Sequence, residues 1–186
     1  MRVMKKEDLE QKTIRSQRIY EGAVFQIRKD EAQMPDGSIV LREVVEHRGG
    51  VAIALHDTDD TFFLVTQWRY AQRKPMLEFP AGKKEIGEEP FQTAQREIVE
   101  ETGYAGKEWH YLGQMVPTPA YDEEVIDMYY AEKGELLGQH LDPDEQLNVS
   151  KMKIDNLIEE IKEGKVTDAK TMVMAFLVRE YMGEKR

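Results

Sequence analysis

One stretch of this chain spaces a glycine, an arginine and several glutamates as chemistry would need them. Gly82 is followed after five residues by Glu88, then after seven more by Arg96-Glu97-Ile98, with Glu100-Glu101 and Gly103-Tyr104 closing the run. Taking roughly 7–10% for each of seven specified residues, a chance match at a given start is on the order of 10⁻⁷. Glu97, Glu100 and Glu101 stand three and four apart, which puts all three carboxylates on one face of a helix. Three such carboxylates repel one another and need compensating charge. Arg96 supplies part of it and a hard divalent cation the rest. Oxygen-only donors, with no cysteine in the chain and no histidine nearby, suit Mg²⁺ or Mn²⁺ better than zinc. A lone acidic run is ordinarily a solvated helix face; the fixed distances to Gly82, Glu88 and Gly103 outweigh that explanation here. Lys83-Lys84-Glu85 has no such support and reads as solvated surface.

The element that must carry these groups is a helix from Pro90 to Glu101. Proline is tolerated in its opening turn, and Gly103 stands just beyond its end as a left-handed stop. Phe91, Ala94 and Ile98 form the stripe opposite the carboxylates and should face a core. Before this helix, Val51 to Leu55 and Phe62 to Trp68 read as short buried strands joined by the polar turn 56–60, and Leu77-Glu78-Phe79-Pro80 leads into the motif. After it, Trp109 to Val116 and Val125 to Ala131 are strand-like, and Gly134 to Asn148 reads as a carboxylate-rich loop. Ile154, Leu157, Ile158 and Ile161 fall at helical spacing before Gly164, and Thr167 or Asp168 caps a last helix through Met172, Phe176 and Leu177. At the N-terminal end, Thr13 to Tyr20 reads as a strand, and Val24 to Met34 with Ile39 to His47 as a hairpin around Pro35-Asp36-Gly37-Ser38. This piece has few large apolar residues and should lean on the main domain or on a second subunit.

The 186 residues suffice for one well-filled domain with a small subdomain. We place the division after His47: an N-terminal β-hairpin subdomain over 1–47, for dimerisation and the substrate pocket, and a main domain over 48–186. Strands, a helix, more strands and then helices give an α+β chain with a mixed sheet between helices. Zero cysteines exclude disulfides and thiolate chemistry and suit a reducing cytoplasm. No apolar run approaches a membrane span, and MRVMKKEDLEQK lacks the apolar centre of a signal peptide, so the expectation is a cytoplasmic protein without a membrane partner. A net charge of −10 with no basic cluster argues against nucleic acid.

The run from Gly82 to Tyr104 matches the Nudix box, Gly-x5-Glu-x7-Arg-Glu-U-x-Glu-Glu-x-Gly-U with U apolar, at every specified position. With Gln67-Trp68-Arg69, Glu78-Phe79-Pro80-Ala81-Gly82 and Pro119, which lies fifteen residues beyond Tyr104, the chain resembles the ADP-ribose pyrophosphatase branch of Nudix hydrolases from about Thr13 to Tyr181. The resemblance implies an α/β/α sandwich and a metal-dependent hydrolysis of ADP-ribose to AMP and ribose 5-phosphate, with more than one Mg²⁺ or Mn²⁺ per site. It implies that Glu97, Glu101, Glu100 and the backbone carbonyl of Ala81 ligate the metals, with Glu100 a ligand or a holder of water, and that Glu88 and Arg96 brace loop and helix as a salt bridge. It places the general base in the loop Leu141-Asp142-Pro143-Asp144-Glu145-Gln146, where Glu145 is the first choice and Asp144 and Asp142 stand behind it. Arg69 would contact phosphate, and Arg42, Glu43, Glu78 and Glu124 would bind substrate, the first two in some relatives from the partner subunit of a homodimer. Tyr20, Phe25, Trp68, Tyr70 and Tyr121 are unranked candidates for stacking on the base, and the four histidines carry no assigned chemistry. Two departures, Arg48-Gly49-Gly50 and Ala120-Tyr121, fall near the expected pocket and bear on substrate identity. Two other readings stand beside the first: the same chemistry on GDP-mannose, UDP-glucose or a flavin dinucleotide, and a non-catalytic module that senses ADP-ribose.

Overall fold

A computed structural model describes residues 3, 5–143 and 145–184. The chain divides into two compact units, one built from the N-terminal segment up to Arg48 with Thr118–Glu124, the other from Gly49–Pro117 with the segment from Val125 onward.

The first unit is a three-stranded antiparallel sheet in the order β1 (Lys12–Glu21), β2 (Gln26–Gln33), β3 (Ile39–Glu46). The expected hairpin forms because Asp36 organises the turn: its carboxylate accepts the backbone N–H and the hydroxyl of Ser38, and the amide of Met34 donates to the Ser38 carbonyl. Thr118–Glu124 joins this sheet by backbone pairing, Val45 N–H to Tyr121 O at 2.7 Å and Glu123 N–H to Val45 O at 3.0 Å. The sheet has almost no interior. All ten residues of β1 are exposed, and only Asp30 and Ala32 are buried in β2 and β3.

The second unit carries a seven-stranded mixed sheet. Its main path is β10 (Leu147–Lys153), β5 (Thr61–Arg69), β4 (Gly50–His56), β9 (Ile126–Leu136), β8 (Tyr104–Met115), with β6 (Lys74–Glu78) on β5 and β7 (Ala81–Lys83) on β4. Within this sheet the β4–β9 pair is parallel, from Gly50 opposite Ile126 to His56 opposite Glu132. Val51 to Leu55 and Phe62 to Val65 are apolar without interruption because both faces of the sheet are covered. Alternation then sorts them. Val51, Ile53, Leu55 and Phe63 pack with Ala94 and Ile98 of helix α1 (Pro90–Thr102). Ala52, Ala54, Phe62 and Leu64 pack with Leu157 and Ile158 of α2 (Ile154–Lys162) and with Met174, Ala175 and Val178 of α3 (Ala169–Glu184). The result is helix, sheet, helix in three layers.

Several boundaries differ from the sequence expectation. Strand β8 begins at Tyr104, not Trp109, because it accommodates Gly106-Lys107-Glu108 through register shifts, with Glu108 at φ 49°. Strand β9 runs on to Leu136, past the expected end at Ala131 and into the loop expected from Gly134. Strands β6, β7 and β10 were not expected. The first two are too short to show periodicity, and β10 lies at the sheet edge, where Asn148, Ser150 and Lys151 face solvent. On α3 the buried stripe is Lys170, Met174 and Val178 with Thr171 and Ala175, while Phe176 is 48% exposed.

Candidate active site

Helix α1 begins with Pro90 in its first turn and ends at Gly103, whose φ of 78° is the left-handed conformation that favours glycine. Ala94 and Ile98 enter the core as expected, Phe91 is 39% exposed and rests against Trp109 and Tyr129, and Glu97 and Glu101 turn toward β7. There the strand passes close over the helix. A Cβ on Gly82 would lie 1.8 Å from Cδ of Glu97, so any larger residue would displace that carboxylate from its place against the strand. The amide of Ala81 donates to Glu101 Oε2 at 2.9 Å, which ties the strand to the far end of the same carboxylate row.

Arg96 is the hub. Its Nε and Nη2 grip the two oxygens of Glu88 at 3.0 and 2.9 Å, while Nη1 reaches Glu97 Oε1 and Glu100 Oε2, both at 2.8 Å, and Nη2 also donates to the Lys83 carbonyl. Glu88 accepts Thr93 Oγ1 and the Glu85 amide besides. The hydrogen bonds from Arg96 hold the Glu88 carboxyl down at about 2. Loop and helix are thereby fixed to each other through a bidentate pair.

The remaining carboxylates are short of positive charge. Glu101 is 1% exposed and its carboxyl is pushed up to about 8, first by burial and then by Glu97 and Glu145, with the Ala81 amide and Arg69 pulling the other way. Glu97 is pushed up to about 7, again by burial first, with Arg96 opposing and Glu100 and Glu145 adding repulsion. Glu145 thus stands within electrostatic reach of both. Its loop is fastened on each side: Gln139 Nε2 donates to the Glu101 carbonyl at 2.6 Å and the His140 amide to the Glu100 carbonyl at 3.1 Å, and Leu147 pairs with Gln67. Asp142 accepts the Glu145 amide through its backbone carbonyl. Asp144 lies outside the described residues.

Among the described residues no three of His, Cys, Asp and Glu are gathered as a ready ligand set. Arg96 holds Glu97 and Glu100, and the Ala81 amide holds one oxygen of Glu101. The donors nevertheless fit a hard divalent cation: all are oxygens, and burial and mutual repulsion make the charged forms of Glu97 and Glu101 costly unless a further cation joins Arg96.

Arg69 and Glu78, on β5 and β6, face each other in a two-pronged ion pair, Nε to Oε1 at 2.7 Å and Nη2 to Oε2 at 2.6 Å. Burial alone would push the Glu78 carboxyl up; Arg69 and Lys170 overcome that and hold it down. Lys170, which also contacts Glu78, escaped the sequence reading. The signal was present, because Lys170, Met174 and Val178 are four apart on the buried stripe of α3. Thr93, Gln139 and Thr171, whose hydroxyl accepts the Phe79 amide at 3.0 Å, were missed as well. A single polar side chain of this kind leaves no periodic trace.

The structure therefore brings Glu78, Ala81, Glu88, Arg96, Glu97, Glu100, Glu101, Arg69 and Glu145 together in one unit. Arg42, Glu43 and Glu124 belong to the N-terminal unit. Arg42 donates to Gln11 Oε1 and the Leu41 carbonyl, Glu43 lies opposite Lys29, and Glu124 stands 3.4 Å from His47 Nδ1.

A three-layer mixed sheet that presents a glycine strand to a glutamate-lined helix is the architecture of a Nudix hydrolase. The NUDIX domain family matches residues 46–174, and the nucleoside diphosphate sugar hydrolase N-terminal domain matches residues 12–45; the chain belongs to the Nudix family. It is 34% identical over 168 residues to the methanol dehydrogenase activator of Bacillus methanolicus, covering 88% of this chain and 90% of that protein. It is 33% identical over 165 residues to the ADP-ribose pyrophosphatase of Bacillus subtilis (strain 168), covering 88% and 89%. A crystal structure of an ADP compounds hydrolase superposes with a TM-score of 0.83 over 95% of this chain and 97% of that one, at 18% identity, and shares its fold.

Proposed function

We propose that this chain hydrolyses the diphosphate of ADP-ribose to AMP and ribose 5-phosphate with Mg²⁺ or Mn²⁺. The observation that carries the reading is the buried pair Glu97 and Glu101 against Gly82 and Ala81, with Glu145 in electrostatic reach of both. Glu97, Glu100, Glu101 and the Ala81 carbonyl would hold the metals. When bound, divalent ions supply neutralisation of the diphosphate and acidification of a water. Glu145 takes the proton from the attacking water; the water oxygen bonds to one phosphorus, and the bridging P–O bond breaks toward the other phosphate. Arg69 keeps one edge on Glu78 and offers the other to a phosphate oxygen, a use its planar fork suits. Glu78 acts through that pair, and Arg42, Glu43 and Glu124 are proposed as further substrate contacts. Arg96 positions Glu97 and Glu100, and its link to Glu88 sets where the helix stands against the strand.

The likeness to the Bacillus subtilis ADP-ribose pyrophosphatase over nearly the full length of both chains, together with Pro119, supports ADP-ribose as substrate. A second reading, the same reaction on another nucleoside diphosphate sugar, is favoured by the family of residues 12–45. We further propose a cytoplasmic homodimer formed through the N-terminal sheet, whose exposed Ile14, Ile19, Tyr20, Ile39 and Leu41 support it.

The test is a hydrolysis panel of ADP-ribose, GDP-mannose, UDP-glucose, NADH and a flavin dinucleotide, each with Mg²⁺ and with Mn²⁺, products identified. The expected result is preferred cleavage of ADP-ribose to AMP and ribose 5-phosphate. Better cleavage of another sugar nucleotide replaces the substrate and keeps the chemistry, and no cleavage at all overturns both in favour of a sensing module.

A further inference from the structure

Beside the carboxylates of the site lies a second charge cluster that the reaction does not consume. Lys170, in the first turn of α3, donates to Glu78 and to Asp168 Oδ1, the latter at 2.9 Å, while Glu78 also takes the Nε and Nη2 edge of Arg69. Lys170 is 8% exposed and Glu78 1%. Charges this deep persist only when paired, and these four groups balance: two cations, two carboxylates. The same helical turn is locked in place, because Asp168 accepts the Thr171 amide and the Thr171 hydroxyl accepts the Phe79 amide, next in the chain to Glu78.

The balance bears on Arg69. A guanidinium carries five N–H donors, and here Nε and Nη2 are engaged on Glu78, whereas Nη1 makes no hydrogen bond among the described residues. That edge retains its positive character only if Glu78 and Asp168 draw on another cation too. The charge of Asp168 also reaches Arg69, so with Lys170 gone Glu78 and Asp168 would both lean on this one arginine.

We propose that Lys170 is a positioning residue for substrate binding: by neutralising Glu78 and Asp168 from α3, it leaves the Nη1 edge of Arg69 for the diphosphate. The proposal rests on the reading of Arg69 as a phosphate contact. It acts on binding of the diphosphate rather than on proton removal, so KM carries the effect and kcat does not.

The experiment measures kcat and KM for ADP-ribose at saturating Mg²⁺ in Lys170→Met, Asp168→Asn/Lys170→Met, Asp168→Asn and Arg69→Ala, with folding followed by circular dichroism. Lys170→Met is expected to raise KM about tenfold with kcat within about threefold. The double variant removes one charge of each sign, and asparagine still caps the helix, so KM should return to within about threefold of the parent. Asp168→Asn alone should lower KM, which keeps the proposal testable if Lys170→Met does not fold. An unchanged KM in Lys170→Met, a loss confined to kcat, or a double variant that is not restored overturns the role of Lys170 while Arg69 stands. An unchanged KM in Arg69→Ala overturns the reading of Arg69 and this proposal together.

Discussion

Replacing Glu101 by glutamine tests the electrostatics of the site without any substrate. In the folded protein without metal, Glu101 keeps its proton up to about 8 and Glu97 up to about 7, whereas the unfolded chain releases both near the ordinary 4.5. The folded state therefore binds more protons across that window, and stability falls as pH rises from about 4.5 to about 8. At 1.36 kcal/mol per pKa unit the displacement of Glu101 corresponds to roughly 4–5 kcal/mol. Glu97 and Glu145 share the burial and repulsion, so about half, ~2 kcal/mol, is removed with Glu101 alone. For a chain of this length that is a melting-temperature change of about 4 to 8 °C. Glu88, held near 2, contributes a stability already complete above 4.5 and adds no slope in the window. The assay is thermal unfolding in EDTA between about pH 5 and about pH 8. The parent should lose melting temperature over this range. Glu101→Gln should lose about 4 to 8 °C less and be the more stable protein at the upper end. Added Mg²⁺ should restore the parent there and leave the variant unchanged, and turnover in the variant should fall by several orders of magnitude with folding intact. A variant as pH-sensitive as the parent, or one with near-normal turnover, would refute the assignment.

Gln139 offers a second test, because its amide donates to the Glu101 carbonyl and fastens to the helix the loop that carries Glu145, the proposed base. Gln139→Ala should cost about 1 kcal/mol of stability and lower kcat about tenfold with little change in KM; unchanged turnover would detach the loop anchor from catalysis. Light scattering at micromolar concentration should give a dimer mass, falling to the monomer when Ile14, Ile19 and Leu41 are replaced together by serine; a monomeric parent would sink the proposed assembly.

How much of this was legible in the sequence varied with the kind of signal. Helix α1 announced itself at both ends and along both faces, since Pro90, Gly103, the glutamates and Ala94 with Ile98 each report a different constraint on the same thirteen residues. Strands β4 and β5 were legible because burial on both faces leaves an unbroken apolar run. Strand β10 was not: at an edge the alternation weakens, and Asn148 to Lys151 looks like the end of a polar loop. The pair of Glu88 with Arg96 was implied by the resemblance to the Nudix box, whereas Arg69 with Glu78 needed the pairing of β5 with β6, which no local pattern encodes. Lys170 shows the remaining difficulty. A lysine reads as surface until the helical phase of Met174 and Val178 is imposed on it, and only the fold supplies the carboxylate that makes its burial tolerable.

The tethering of the chain on either side of Glu145 has a consequence for how such enzymes vary. His140 is held to α1 and Leu147 to β5, so the ends of the intervening span are fixed before the span itself is specified. Doubling the length of a flexible loop closed in this way costs only ~0.6 kcal/mol of closure entropy. Insertions, deletions and exchanges of acidic residues there can accumulate without disturbing the glutamates of the helix below. The glutamates of the helix are thus held by their own packing, while the span that carries Glu145, the proposed base, can change in length at little cost.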